Sequence, residues 1–400
     1  SINIGYNGDI KKVYSISSKN SLAALYSSVT YLMGFKQNEH EYKIMGLAPY
    51  TSKLYTNDIK KILYSFLDLE KDDGLDFINK GSEKKHPGFE LGKKLRQKRF
   101  DNIAFAIQDF SEELTIKWIK RAVKKYKIND ILLSGGLFMN IKINKIISEL
   151  PEINSVDVFP SCGDETNSLG ISFFCHSKIN KPEVSLLKNF NLGPELNFNG
   201  KKIPNKLKKK FKFETIKTNK YKKIAELLAK GEVIGNLEGR MEFGARALGN
   251  RSLIADPINS DVVEKINYLI KKRDFWMPFA PAILSEDASK YISIPSTIKN
   301  GSPYMMFGFD SKINQQKKMI AGLHRVDKTA RAQIVDKKIY PNFHKLLCEF
   351  KKLTGRSVLL NTSFNLHGDP LALNEKDAFK VLENSELKYV FLDDVLVSRR

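Results

Sequence analysis

The stretch LEGRMEFGARALGNRS, residues 237–252, sets Arg240, Arg246 and Arg251 among Gly239, Gly244 and Gly249, with Glu238 and Glu242 between them. Lysine supplies most cations of this chain, yet every cation here is arginine. The guanidinium is a planar fork of donors that matches carboxylate and phosphate oxygens. Glycine lets the main chain take angles that other residues resist and come close to a ligand. Three further segments share this character: KKRDFWMPFAPAIL from Lys271, HRVDKTARAQIV from His324 and LLNTSFNLHGDPLA from Leu359. Each puts cationic, hydroxyl or amide side chains beside Gly or Pro at the edge of an apolar strand or turn, where α/β sheets hold ligands. Lys271, Lys272, Arg273 and Arg331 add to the three arginines enough charge for several phosphates, and Thr362, Ser363 and Asn365 offer neutral donors that fix orientation. Glu242 and Asp327 either orient the arginines or hold Mg2+ on bridging phosphate oxygens. Together these residues suggest a pocket that handles nucleotide and phosphate, where catalysis stabilises negative charge as it develops. An ordinary salt bridge is the commoner role of any one arginine, so the reading rests on the group.

The first half carries weaker signals. LSGGLFMN sets Gly135 and Gly136 between strand and helix, where backbone amides either cradle phosphate or make a tight turn. In PSCGDETN, Asp164 and Glu165 follow a strand, and Asp164 reads as a metal ligand, a base or a helix N-cap. EYKIMGLAPY presents Glu41 and Lys43 in a loop before Gly46, either touching a nucleotide or forming a solvated ion pair. No histidines are spaced HxxxH or HExxH. His324 and His367, inside the motifs above, read foremost as structural hydrogen-bonding groups.

Alternating strands and helices must position these motifs. Asn7-Gly8 between alternating apolar residues predicts a hairpin. Leu22, Leu25, Tyr26, Val29 and Leu32 have helical spacing, and Ile103, Ile107, Phe110, Leu114, Trp118 and Ala122 mark one face of a long helix. A strand over 131–133 meets the Gly-Gly turn, with a helix from near Phe138, and SVDVFP gives another strand before a further helix. This is an α/β pattern with a parallel or mixed sheet. A polar stretch near 178–212, with Pro182, Pro194 and Pro204, separates domains over 1–180 and 181–400. The second half restarts with a helix and a strand and ends in further helix–strand units. A length of 400 residues fits about two domains, and 42% hydrophobic with 28% charged residues reads as globular. No apolar run predicts a membrane helix, and no signal peptide is expected. Cys162, Cys175 and Cys348 are scattered, which argues against a disulfide framework or zinc knuckle and for a reducing cytoplasm. The net charge is +21, and residues 201–223 hold eleven lysines, one acid and no arginine. Base readout favours arginine, and single strands want aromatic stacking faces. The run therefore reads as a solvated face, and nucleic acid is not the expected partner.

Taken in order, EYKIMGLAPY, LSGGLFMNIKIN, GDETNSLG, GRMEFGARALGNRS, RDFWMPFAPAIL, DKTARAQIV and LLNTSFN resemble the O-carbamoyltransferases of nodulation-factor and antibiotic biosynthesis, the NodU-like family, over nearly the whole chain. The resemblance implies part of an actin/sugar-kinase-like (ASKHA) domain over 1–180, similar to the tRNA threonylcarbamoyladenosine transferases, followed by a YrdC-like α/β domain over 181–400. It implies that the YrdC-like domain forms carbamoyl-adenylate from carbamoyl phosphate and ATP. The kinase-like domain then transfers the carbamoyl group to an acceptor hydroxyl, commonly of a sugar. The implied catalytic groups are Arg246, Arg251 and Arg331. Arg240, Lys271, Arg273, Ser363 and Asn365 would hold nucleotide and carbamoyl phosphate, and Gly135, Gly136 and Asn140 would form the first domain's nucleotide loop. Asp164 would ligate its metal. The implied cofactors are ATP and Mg2+, with Fe2+ or another divalent metal in the first domain. Family members begin with a further stretch before EYK, which bears a metal-ligating histidine pair that this chain does not have. The expectation is a chain without its N-terminal lobe, exposing apolar surface that favours a partner or self-association, with activation surviving better than transfer. The runner-up is a basic tRNA-binding or tRNA-modifying protein related to threonylcarbamoyladenosine synthesis, or an inactive fragment.

Overall fold

Asn7 and Gly8 take positive φ, 50° and 81°, as a two-residue hairpin turn requires if its twist is to match its strands. They join β1 (Ile2–Tyr6) to antiparallel β2 (Asp9–Tyr14) in the computed structural model. The structure describes all residues except 84, 85, 181–186, 188, 199, 201, 202 and 272. Lys272 and the boundary expected between 180 and 181 thus lie outside the described residues. The chain divides into two units, Ser1–Leu186 with Pro295–Lys299, and Leu187–Ile294 with Asn300–Arg400.

In the first unit the helix Leu22–Leu32 is capped by Ser21, whose hydroxyl accepts from the Ala24 amide at 3.1 Å. The helix Phe100–Tyr126 buries Ile103, Ile107, Phe110 and Leu114, as their spacing predicts. Trp118 stays half-buried, because its indole N–H must find an acceptor and donates to Leu75 O at 3.0 Å. The buried face continues through Ile119 and Val123 instead. EYKIMGLAPY, expected as a loop, forms the helix Glu41–Leu47, which buries Lys43, Ile44, Met45 and Gly46. Its apolar residues need a core more than the motif needs solvent, so this segment packs inward. Glu41 sits in the first turn and accepts from the Asn38 amide at 2.7 Å. Short β3 (Leu67–Leu69) and β4 (Phe77–Asn79) pair antiparallel, and β5 (Asp130–Leu133) and β6 (Ser155–Val158) pair parallel. Leu132 on β5 is 86% exposed, and Phe174 on the helix Asn167–Asn180 is 59% exposed.

Apolar runs such as RSLIA, APAIL and YVFL do not alternate with polar residues, which suits strands covered on both faces. The second unit supplies such a sheet. Its strands are β7 (Phe211–Thr215), β8 (Ile234–Leu237), β9 (Arg251–Ala255), β10 (Ala280–Leu284), β13 (Gln333–Val335), β14 (Val358–Ser363), β15 (Tyr389–Leu392) and β16 (Val395–Arg399). β11 (Phe309–Asp310) and β12 (Thr329–Ala330) form a separate small pair. The large sheet runs β13-β10-β14-β9-β8-β15-β16-β7 and is mixed, parallel at β10/β13 and β8/β15. Successive residues enter opposite cores. Leu253 and Leu392 pack with Val263, Ile266 and Phe379, while Ile254 and Phe391 pack with Ile224, Leu228, Phe343 and Leu347. Each such side chain contributes roughly 1.5–3 kcal/mol by leaving water, so the strand ends that carry the motifs are firmly held. The predicted helix–strand units appear as Lys220–Ala229 before β8, Pro341–Thr354 before β14 and Glu375–Glu383 before β15. Lys206, Lys208, Lys209 and Lys210 of the basic run are exposed. Among the described residues no helix is long and apolar enough to cross a membrane.

Candidate anion site in the second unit

Residues 238–250 connect β8 to its antiparallel neighbour β9, and this loop is fixed from inside. Glu242 is buried, and one of its carboxylate oxygens accepts from the amides of Leu248 (2.8 Å), Asn250 (2.7 Å) and Arg251 (3.1 Å). Burial nevertheless holds its carboxyl above the ordinary carboxylate range. Arg251 is fully buried. Its guanidinium donates to the carbonyls of Glu238 (3.0 Å), Gly239 (3.0 Å), Asn250 (3.1 Å), Leu373 (3.4 Å) and Pro194 (3.5 Å). Arg240 donates to the carbonyls of Leu192 (2.9 Å) and Gly193 (3.1 Å). Gly249 has φ 126°, and a Cβ there would stand 2.8 Å from the Phe343 ring, so the turn passes where only glycine fits. Through that one oxygen Glu242 thus fixes the backbone of the loop. Arg251, expected to be catalytic, and Arg240, expected at the phosphates, both donate to main-chain carbonyls. A fork of five N–H groups suits converging carbonyls as well as it suits an anion.

The cationic chemistry gathers at the end of β14 instead. Lys271 closes a π-helical turn, Asn267–Lys271, and is 1% exposed. Its ammonium donates to Ser363 Oγ at 3.1 Å and to Asn365 Oδ1. The Ser363 hydroxyl donates to Asn365 Oδ1 at 2.8 Å, and Asn365 Nδ2 donates to Asp369 O at 2.5 Å. Among the described residues no carboxylate forms an ion pair with Lys271. Burial pushes its ammonium well below the ordinary lysine range, and the neighbouring Arg273 charge pushes the same way. The Arg273 guanidinium lies over the Phe279 ring, 5.5 Å from its centre. A buried ammonium balanced only by neutral oxygens is unfavourable by several kcal/mol, and an anion at this point would offset that.

Buried amides tie further segments to this centre. Asn361 Nδ2 donates to Ala247 O (3.0 Å) and Gln333 Oε1 (2.8 Å), and Gln333 Nε2 donates to Leu248 O (2.8 Å). The segments carrying Arg246 and Arg331, both half-buried, are thereby fastened to the strand that ends in Ser363. Gln333 and Asn361 were not singled out in the sequence. The available signal was a lone amide in each of the apolar runs QIV and VLLNTS, since a buried amide needs partners. A cavity of about 260 Å3 adjoins the Lys271 segment, lined by Phe275, Trp276, Met277, Pro278, Ser260 and Arg325; Lys271 and Ser363 do not line it. His324 is buried, and its Nδ1 accepts from the Val326 amide at 3.3 Å. Asp327 accepts from the Thr329 amide at 3.0 Å and its hydroxyl at 2.7 Å, shaping a turn.

The remaining expected residues belong to the first unit. Gly135 (φ 105°) and Gly136 follow β5. Asn140 caps the helix Ile141–Ser148, accepting from the Lys142 and Ile143 amides at 3.2 Å each, and its Nδ2 donates to Gln108 Oε1 at 2.8 Å. A 3-10 turn, Gly136–Met139, spans Phe138, the α-helix proper follows the cap, and the Asn140 side chain is engaged by protein groups. Asp164 is exposed in the turn Asp164–Thr166 after β6. Because β5 and β6 are parallel neighbours, the Gly-Gly turn and Asp164 lie beyond the same strand ends. Among the described residues, Asp164 joins no group of three His, Cys, Asp or Glu ligands; one such group exists, Glu286, His344 and Cys348.

Comparison with known proteins adds the family. The family model described as Carbamoyltransferase N-terminus matches residues 1–173, and that described as Carbamoyltransferase C-terminus matches residues 225–399. The uncharacterized protein MJ1051 of Methanocaldococcus jannaschii is 33% identical, over 100% of this chain and 79% of that one. MJ1058 of the same organism is 30% identical, over 95% of this chain and 62% of that one. The 3'-hydroxymethylcephem-O-carbamoyltransferase of Streptomyces clavuligerus is 28% identical, over 67% of this chain and 49% of that one. The chain thus spans less than two thirds of the length of MJ1058 and about half that of the cephem enzyme.

Proposed function

The chain belongs to the carbamoyltransferase family, and from that premise we propose that its second unit forms carbamoyl-adenylate from ATP and carbamoyl phosphate for transfer to an acceptor hydroxyl. Balance requires one water. Carbamoyl phosphate releases phosphate, and the carbamate oxygen displaces pyrophosphate from the α-phosphorus of ATP. The observation that carries the reading is Lys271, a buried cation held by neutral oxygens beside a second cation. In this reading Lys271 and Arg273 meet phosphoryl oxygens, Ser363 and Asn365 hold the ammonium in place, and Arg246 and Arg331 stabilise charge on the departing pyrophosphate. Arg240 and Arg251 act at one remove, by fixing the loop.

The eight-stranded mixed sheet, with helices on both faces, supports reading the second unit as the YrdC-like domain. The parallel β5–β6 pair with loops at its ends supports reading the first as actin/sugar-kinase-like. The acceptor class, a sugar or secondary-metabolite hydroxyl, follows the relative that is named for O-carbamoylation of a cephem. ATP would enter with Mg2+ on its phosphates. For an Fe2+ or similar ion in the first unit the described residues do not supply a full site, because Asp164 is exposed and joins no group of three candidate ligands among them.

The test is ATP–pyrophosphate exchange by the whole chain. Exchange that depends on carbamoyl phosphate is expected. Its absence, together with retardation of tRNA at physiological salt, would instead support the nucleic-acid reading that the +21 charge motivates.

A further inference from the structure

We propose that His344 and Cys348 form a binding site for a thiophilic divalent cation of the Zn2+ class, with Glu286 as the carboxylate that orients the imidazole. The two ligands lie four residues apart on the helix Pro341–Thr354, which puts them on one face. Cys348 Sγ stands 3.6 Å from His344 Nδ1. Two ligands of a tetrahedral zinc ion, at about 2.1 Å for nitrogen and about 2.3 Å for sulfur, stand about 3.6 Å apart. The thiol and imidazole are therefore already spaced as ligands of one ion.

The other side of the ring supplies an independent observation. His344 Nε2 lies 3.1 and 3.2 Å from the two carboxylate oxygens of Glu286, which comes from the turn Ser285–Asp287. A carboxylate there keeps the proton on Nε2 and turns the Nδ1 lone pair toward sulfur. Metal-bound imidazoles are commonly oriented by such a partner. Two neighbouring lysines are paired with acids, which offsets part of their repulsion of the cation, although Asp287 is shared with Lys290. Lys351 binds Asp287 at 2.5 Å, and Lys352 binds Glu349 at 2.6 Å. Glu286 is exposed, while His344 and Cys348 are half-buried, so an ion has a way in and water can fill its remaining positions. Binding replaces the thiol proton: the S–H bond breaks, the S–metal bond forms and one proton leaves to solvent. Spacing searches for paired histidines or CxxC pass over this site, because its ligand pair is mixed and its third residue is distant in sequence.

The experiment is titration of the chelator-stripped full chain with Co2+. A thiolate-to-cobalt charge-transfer band is expected, saturating at one ion per chain and removed by Zn2+. Cys348→Ser should abolish the band, Glu286→Gln should weaken binding about 10–100-fold, and His344→Ala should weaken it at least as much. Cys175→Ser should leave it unchanged, although Cys175 is the exposed thiol. Circular dichroism of each metal-free variant checks the fold, and Cys348→Ser, a one-atom change, decides the matter if His344→Ala fails to fold. No band in the wild-type chain, or a band that survives Cys348→Ser, would overturn the proposal.

Discussion

Lys271→Met should lower carbamoyl-phosphate-dependent ATP–pyrophosphate exchange by about 10²–10³-fold or more, while leaving the second unit at least as stable as before. The two halves of this expectation share one cause. The ammonium is buried, its protein partners are the neutral Ser363 and Asn365, and Arg273 adds a like charge. Folding therefore gains little from the charge, and methionine removes an unfavourable burial while keeping most of the volume. Ser363 and Asn365 still have each other at 2.8 Å. The sign of the pH effect follows. Between the lowered pKa and the ordinary value near 10.4, the unfolded chain holds the Lys271 proton and the native chain does not, so wild-type stability rises with pH through that window. The advantage of Lys271→Met should be largest below the window and vanish above it. Urea unfolding across pH checks the stability half, and exchange kinetics check the other. A variant that keeps exchange, or that unfolds more easily at neutral pH, contradicts the role given to this lysine.

Arg251→Met is expected to do the reverse and destabilise the second unit by about 3–5 kcal/mol. The fully buried guanidinium gathers the carbonyls of Glu238, Gly239 and Asn250 at 3.0–3.1 Å, with Leu373 and Pro194 further out. Methionine would leave those carbonyls buried without donors. Arg251→Lys should recover only part of the loss, since an ammonium cannot span so wide a fan of acceptors. Denaturant midpoints measure this directly. If Arg251 were instead a catalytic arginine facing substrate, both substitutions would leave the midpoint unchanged and abolish exchange alone.

These two variants also mark how much could be read from the sequence. Helix spacing, the Asn7-Gly8 turn and the unbroken apolar strands were legible because they depend on local geometry and burial. The four motif segments were recognisably one chemical group because they share residue types. What could not be read was the direction each side chain takes. Arg251 and Lys271 are both cations beside small residues, yet one meets carbonyls converging from five positions and the other meets a serine and an asparagine. That difference arises from strand register: Ser363 pairs with Ser252 across β14 and β9, and Asn361, two residues earlier, faces into the loop. Glu41 and Lys43 failed as a loop for a related reason, since Ile44, Met45 and Leu47 draw the whole segment into a buried helix. The Glu286–His344–Cys348 group spans elements that only the fold brings together.

The most direct test of the central claim is a crystal structure of the full chain with ATP and carbamoyl phosphate, or with a stable adenylate analogue. A phosphoryl oxygen within about 3 Å of Lys271 Nζ is expected, with Arg273 on the same group and Arg251 still on its carbonyls. A nucleotide bound elsewhere, with the ammonium still held by Ser363 and Asn365 alone, would contradict it.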